Sequence, residues 1–215
     1  MRRAANQRAS QPIGYASSTT ARYYNAQLHL ERTALRTAIE LTAPGTDDAL
    51  LDVGTGTAAL LALLAQRPGH PRQVTGIDAS EAMLRRAPPL PDGWSLVNAD
   101  ARRLPLSDAS VDIVTCAYLL HLLDEPGRQA VLGEIARVLA PGGRAVLVTL
   151  AVPAGLLGRS ALAPVQSTLC RALGHGSGWC ALDPRVDLAG AGLRLRSGRM
   201  CRRGYASLCL LVDRA

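Results

Sequence analysis

The sequence predicts an α/β fold built on a doubly wound, mostly parallel sheet, and three observations carry that prediction. Short apolar runs alternate with Ala/Leu stretches at helical spacing between residues 49 and 150. The connections between them are short and punctuated by Gly, Pro, Asp and Ser. A pair of strand-like runs flanking Gly204 closes the chain. Such β-α repetition places helices on both faces of a parallel sheet.

Residues 1–15 are polar and are expected to be loose. Between Thr20 and Leu41, apolar residues recur near helical spacing at Leu28, Leu30, Leu35, Ile39 and Leu41, and Ala43-Pro44-Gly45 ends the run. Ala49–Val53 reads as a strand, Thr57–Gln66 as a helix, Gln73–Ile77 as a second strand, and Ser80–Arg86 as a short helix capped by Ser80. Trp94–Asn98 and Val111–Cys116 are further strands, separated by the loop Arg102–Ser110. Arg128–Leu139 is an amphipathic helix stopped by Pro141-Gly142-Gly143, and Arg144–Leu150 is a fifth strand. Segment 151–182 breaks the rhythm, with a helical stretch at Ala161–Leu173 and a flexible Gly174-His175-Gly176-Ser177-Gly178. A short helix at Pro184–Ala189 and strands at Leu193–Arg199 and Tyr205–Val212 finish the chain.

A chain of 215 residues can bury one sizeable core. No apolar run reaches the roughly 18 residues of a membrane span. Met1-Arg2-Arg3-Ala4 leads into polar residues, so a cytoplasmic location is expected. The five cysteines (Cys116, Cys170, Cys180, Cys201, Cys209) are odd in number and form no CxxC pair, so buried free thiols are expected and no metal site. A formal charge of +7 raises nucleic acid as a partner, but all 24 basic residues are scattered arginines. Two tryptophans, five tyrosines and no phenylalanine leave little for stacking bases, which disfavours that partner.

The run Leu50-Leu51-Asp52-Val53-Gly54-Thr55-Gly56-Thr57-Ala58-Ala59-Leu60 passes from a buried strand through a small-residue turn into a helix. A ligand can approach the backbone of such a loop closely. Asp52, before the first glycine, suits a cationic or amine-bearing ligand better than a pyrophosphate. Open α/β sheets bind ligands beyond the carboxyl ends of their strands, where strand order reverses. Asp78, Asn98-Ala99-Asp100-Ala101 and Cys116-Ala117-Tyr118 all fall at such ends. Asp78 can accept both hydroxyls of a ribose. Asp100 can accept from an exocyclic amine while the following backbone reads a ring edge.

In sequence, Leu51–Thr57, Gly76-Ile77-Asp78-Ala79-Ser80-Glu81-Ala82-Met83-Leu84, Asn98–Ala101 with Leu104-Pro105-Leu106, Val111–Val114 with Leu119-Leu120-His121-Leu122, and Arg137–Gly143 resemble five motifs of one family in family order. That family is the class I S-adenosylmethionine-dependent methyltransferases of the small ubiquinone/menaquinone-biosynthesis type, and the resemblance covers residues 45–150. It implies a Rossmann-like, seven-stranded sheet, mostly parallel with an antiparallel C-terminal strand. It also implies S-adenosyl-L-methionine as cofactor and methyl transfer to O, N or C of a small-molecule acceptor. By position, Asp52 would lie near the methionine ammonium, with Gly54 and Gly56 contacting that moiety through their backbone. Asp78, with Ala79 beside it, would bind the ribose, Met83 would pack beside adenine, and Asp100 and Ala101 would read its edge. Cys116 completes the expected cofactor-binding set. One departure is Ala58, where the family often has a third glycine.

His121, after the fourth strand, is the candidate catalytic base, since an imidazole titrating near neutrality suits proton removal. Packing, or a bond to the backbone, is its structural alternative. Tyr23 and Tyr24, with Tyr118, His121 and Trp179, are the expected substrate pocket. Residues 1–44 would form a tail and helical cap on a cofactor-binding domain at 45–215, with 151–182 as a lid or substrate insertion. Asp112 lies within a strand, is expected to orient local backbone, and stays outside the site. A cofactor-binding protein or a non-methylating catalyst on the same fold is the alternative function. An RNA methyltransferase or an NAD-dependent oxidoreductase is disfavoured, the latter because Asp52 and Asp100 fit a dinucleotide poorly. The expected partner is the small-molecule acceptor, with the chain a monomer or a homodimer.

Overall fold

The computed structural model describes residues 18–151, 181–204 and 206–215, with side chains from residue 29 onward. The expected helix Ala161–Leu173, Trp179 and the side chains of Tyr23 and Tyr24 lie outside the described residues.

The chain enters through α1 (Ser18–Thr42) and then alternates β1 (Ala49–Val53), α2 (Ala59–Ala65), β2 (Gln73–Asp78), α3 (Glu81–Leu84), β3 (Trp94–Asn98) and β4 (Val111–Ala117). A 3-10 turn at Leu120–Leu122 leads to α4 (Glu125–Val138), β5 (Leu139–Leu150), α5 (Arg185–Leu188), a second 3-10 turn (Ala189–Ala191), β6 (Leu193–Cys201) and β7 (Ser207–Arg214). The strands form one seven-stranded sheet in the order β3-β2-β1-β4-β5-β7-β6. The strands β1 to β5 pair in parallel, and β7 inserts antiparallel between β5 and β6. This is the expected Rossmann-like sheet with its antiparallel C-terminal strand. Strand order reverses between β1 and β4, which puts the crevice where their carboxyl ends diverge.

Both faces of the sheet are buried because the period-2 geometry of each strand feeds two cores. Leu51 and Val53 of β1 join Val114 and Cys116 of β4, Ile135 of α4 and Leu210 of β7 on one face. Leu50 and Ile113 point the other way, toward Leu35 and Ile39 of α1 and Leu61 and Leu64 of α2. Polar anchors fix the strand entrances. Asp112 Oδ2 accepts the Ala49 amide at 2.9 Å, the backbone-orienting role expected of it. Arg144 reaches from β5 to the carbonyls of Thr42 and Ala43, at 2.5 and 3.1 Å, pinning the C-terminus of α1 to the sheet.

Several boundaries differ from the sequence reading for identifiable reasons. Ala58 takes a left-handed conformation (φ 60°), so α2 begins at Ala59 instead of Thr57. Asp124 caps α4, its Oδ1 accepting the Gly127 amide at 2.9 Å, so that helix starts before Arg128 and carries Pro126 in its first turn. Ser80 occupies the cap position of α3 but its side chain makes no capping bond; its amide instead donates to Asp78 Oδ1 at 2.8 Å. The Pro141-Gly142-Gly143 stop is absorbed into β5 as a register shift opposite Val111–Ile113.

Candidate functional site

The glycine loop is closed by the strand beside it. The amides of Gly54 and Thr55 both donate to the Ile77 carbonyl at the end of β2, at 2.8 and 2.9 Å. The Gly56 amide donates to Asp78 Oδ2 at 2.9 Å. Gly54 and Gly56 thus offer a ligand close backbone approach, while their N–H groups are already engaged. Gly54 has φ +72°, and a Cβ there would stand 3.1 Å from the Leu119 side chain, so glycine is required twice over. Leu119 follows β4 and covers this loop, a neighbour that β1–β4 pairing supplies and sequence spacing does not reveal.

Asp52 sits at the bottom of this crevice, 2% exposed. Thr115, directly opposite on β4, donates its hydroxyl to Asp52 Oδ1 at 2.5 Å. Burial pushes the Asp52 carboxyl up to about 6, against the lowering effect of bonds from Thr115 and Thr55 and with a small upward push from Asp78. The buried Thr55 hydroxyl faces this carboxylate yet completes no well-formed hydrogen bond. Thr55 finds room only because Gly76 opposite has no side chain: a Cβ there would fall 3.0 Å from Thr55 Oγ1 and 2.8 Å from Leu96.

Asp78 is half-buried, and each carboxylate oxygen accepts one backbone donor, from Gly56 and from Ser80. A carboxylate has roughly four acceptor positions, so both oxygens keep one for a further donor. Ala79 beside it is exposed, and Met83 is buried on α3. Asn98 and Ala99 both donate to the Asp78 carbonyl, at 2.9 and 3.2 Å, which joins the β3 loop to the β2 end. Asp100 follows in that loop, half-exposed and gripped by Arg102, whose Nη2 lies 2.7 Å from Oδ2. The pair holds the Asp100 carboxyl below its ordinary value. The loop continues into a clamp on α4: the Leu104 amide donates to Glu134 Oε2 at 2.7 Å, and Arg137 donates to Glu134, Asp108 and the carbonyls of Leu104 and Leu106.

At the β4 end, Cys116 is fully buried in the core and its thiol is pushed well up by burial. Its contribution to a ligand is confined to backbone and small volume. Tyr118 adopts a left-handed φ of 57°, strained for a side-chain-bearing residue. Its amide bonds to Val148 at 2.8 Å and its hydroxyl to Ser207 of β7 at 2.8 Å, which hold that conformation. The His121 ring stands edge-on to Tyr118, centroids 6.1 Å apart. His121 is 8% exposed, its buried Nδ1 has no hydrogen-bond partner among the described residues, and burial pushes its titration down to about 4. The imidazole is therefore neutral above pH 5 and a weaker proton acceptor than the near-neutral imidazole the sequence suggested, because burial disfavours its charged form.

The structure thus brings Asp52, the glycine loop, Asp78 and the Asp100 loop to adjacent strand ends, with Tyr118 and His121 following β4. Three carboxylates, spare acceptor positions on Asp78 and no cationic side chain on the Gly54–Ala58 loop fit a ligand with hydroxyls and a positive charge and oppose a pyrophosphate. Thr55, Thr115, Leu119 and Ser207 were missed by sequence reasoning. Thr55 alone had a local signal, its place between the two glycines.

Residues 50–143 match the family model of a methyltransferase domain. The chain is 40% identical over 110 residues to a ubiquinone/menaquinone biosynthesis C-methyltransferase of Desulfotalea psychrophila, covering 49% of this chain and 42% of that protein. It is 37% identical over 119 residues to a phosphatidylethanolamine N-methyltransferase of Cereibacter sphaeroides, covering 53% and 55%. The chain therefore spans about half the length of these curated relatives. Its fold matches magnesium protoporphyrin IX methyltransferase from Synechocystis, solved with bound SAH, with a TM-score of 0.62 at 20% identity over 94% of this chain and 90% of that one. Residues 50–143 are thus similar to a methyltransferase domain, set in a fold shared with a solved methyltransferase.

Proposed function

We propose that this chain binds S-adenosyl-L-methionine at the β1–β2–β3 ends and transfers its methyl group to a small-molecule acceptor lodged beyond β4. The observation that carries the reading is the set of carboxylates at successive strand ends around a glycine loop with no cationic side chain. Bound there, the cofactor supplies a methyl group already activated by its sulfonium, so the protein's work is binding, orientation and exclusion of water. Asp52 would face the cofactor's ammonium, and the spare acceptor positions of Asp78 would take the ribose hydroxyls. Asp100 and the Ala101 backbone would read the adenine edge, and Met83 would pack against its ring. Gly54 lets the loop pack beneath Leu119, which would hold it in place against the methionine end.

Tyr118 and His121 would line the acceptor side, with Tyr23, Tyr24 and Trp179 as further candidates. Burial makes His121 a weaker base than an exposed imidazole, so it would take a proton only from an acceptor that ionises easily, and a carbon acceptor already ionised would not need it. The relatives' names span quinone C-methylation and phospholipid N-methylation, which supports a small-molecule acceptor and leaves its atom to experiment. A monomer or homodimer in the cytoplasm completes the proposal. No described helix is long and apolar enough to cross a membrane.

Calorimetric titration with S-adenosylhomocysteine tests the site. Micromolar binding, abolished by Asp78→Ala and absent with NAD, is the expected result. A panel of demethylated quinones, aminophospholipids and phenols, followed by mass spectrometry for a methyl gain, then tests transfer. Binding of NAD in preference to the sulfonium cofactor or its product would remove the proposal. Tight binding without turnover on any acceptor would favour a non-methylating catalyst on this fold.

A further inference from the structure

The β3 loop is held at both ends before any ligand arrives. Asn98 Nδ2 and the Ala99 amide fix its start to the Asp78 carbonyl, at 2.9 and 3.2 Å. The Leu104 amide fixes its end to Glu134, at 2.7 Å. Between these anchors a turn is closed by the Arg103 amide on the Asp100 carbonyl at 3.0 Å. Within this turn the Asp100 side chain is about half exposed, so on its own it could rotate.

Arg102 removes that freedom. Its amide donates to Asp100 Oδ1 at 2.9 Å, an Asx-type turn. Its Nε is shared between Oδ1 and Oδ2, 3.0 Å from each, and its Nη2 donates to Oδ2 at 2.7 Å. A guanidinium fork holding both oxygens fixes the carboxylate plane as well as its position. Three N–H groups fill most of the roughly four acceptor positions of a carboxylate, leaving room for one more donor on the side of Oδ2. An exocyclic amine presents such a donor, whereas a ring oxo group presents a second acceptor and is repelled.

We infer that Arg102 is a positioning residue which, by gripping both oxygens of Asp100, sets the site's preference for a purine with a 6-amino group over one with a 6-oxo group. This rests on the proposed cofactor site, in which Asp100 faces the adenine edge. Arg102 acts through Asp100, so its removal weakens the amino-bearing ligand and leaves the oxo-bearing one nearly unchanged.

The test is calorimetric titration of the full chain with S-adenosylhomocysteine and with S-inosylhomocysteine, its 6-oxo counterpart, for wild type, Arg102→Ala, Arg102→Lys and Asp100→Asn. Wild type is expected to prefer the 6-amino ligand. Arg102→Ala is expected to shrink that preference by about threefold to fivefold, the scale of an exposed ion pair. Arg102→Lys, with a single ammonium in place of a fork, should recover part of it, and Asp100→Asn should abolish it. Circular dichroism melts confirm that each variant is folded. An undiminished preference in Arg102→Ala, or tighter binding of S-adenosylhomocysteine by that variant, would overturn the inference while leaving the cofactor site standing. Failure of wild type to bind either ligand would remove the cofactor site and the inference with it.

Discussion

The Asp52 carboxyl is raised from 3.8 to about 6 by burial, and a shift of that size is a statement about stability. The folded chain holds this proton more tightly than the unfolded chain does. Stability is therefore lost as pH rises from the unfolded value of 3.8 through the folded value of about 6, and the full cost applies above that. Two units correspond to about 3 kcal/mol, of which about 1.4 kcal/mol accrues between pH 5 and pH 8. Asp52→Asn isolates this contribution. The amide oxygen that this substitution introduces keeps the Thr115 hydroxyl bond, and its NH₂ faces Thr55 Oγ1, which has no well-formed bond in the wild-type chain. The variant should be more stable than wild type at pH 8, with its advantage shrinking by about 1.4 kcal/mol at pH 5. Urea unfolding at the two pH values reads the difference directly. The variant should also bind S-adenosylhomocysteine more weakly, because the ammonium loses its counter-charge. In wild type, affinity should fall about tenfold per pH unit below pH 6, as the carboxylate must release its proton to serve the ligand. An Asp52→Asn variant less stable than wild type at pH 8, or a stability gap that does not change with pH, would refute the reasoning.

Three further substitutions probe the frame around the site. Ala58→Gly relieves a left-handed backbone worth about 1–2 kcal/mol, but loses a buried methyl worth about 0.8 kcal/mol and gains unfolded-state entropy of about 0.4–1 kcal/mol. These nearly cancel, so the melting temperature should move by no more than about 4 °C, and a larger shift would show that Ala58 strain is not offset. Arg137→Ala leaves Glu134 without its partner and frees the Leu104–Asp108 loop, which should cost about 2 kcal/mol in urea unfolding; hydrogen exchange should rise in that loop first. Gly204→Ala drives a Cβ into the Leu30 carbonyl of α1, at a φ of +82°. It should loosen the helix from the terminal hairpin, seen as faster amide exchange in residues 30–42 and a lowered melting temperature.

Much of this frame was legible because its signals are local. A strand, a small-residue turn and a helix lie within eleven residues at Leu50–Leu60, and a carboxylate at a strand end needs only that strand to be recognised. Capping was not legible: the sequence reading began α4 at Arg128 and missed Asp124, which caps it through Gly127, whereas Ser80 sits at the expected position without using its hydroxyl, the Met83 amide donating to the Ser80 carbonyl. The left-handed turn at Ala58 could not be read, since alanine carries no sign of the conformation forced on it.

By itself, then, the sequence determined the α/β class, the order of the elements, the glycine loop and the identity of the acids Asp52, Asp78 and Asp100. Tertiary structure decided what those acids are. Pairing of β1 with β4 set Thr115 against Asp52, and burial beneath it raised the carboxyl. Insertion of β7 between β5 and β6 gave Tyr118 its partner in Ser207, 89 residues away. The physical reason is the range of the determinant: hydrogen bonds and turns within a few residues are written in spacing. Burial, and partners brought together across the sheet, exist only once the chain has closed its long loops.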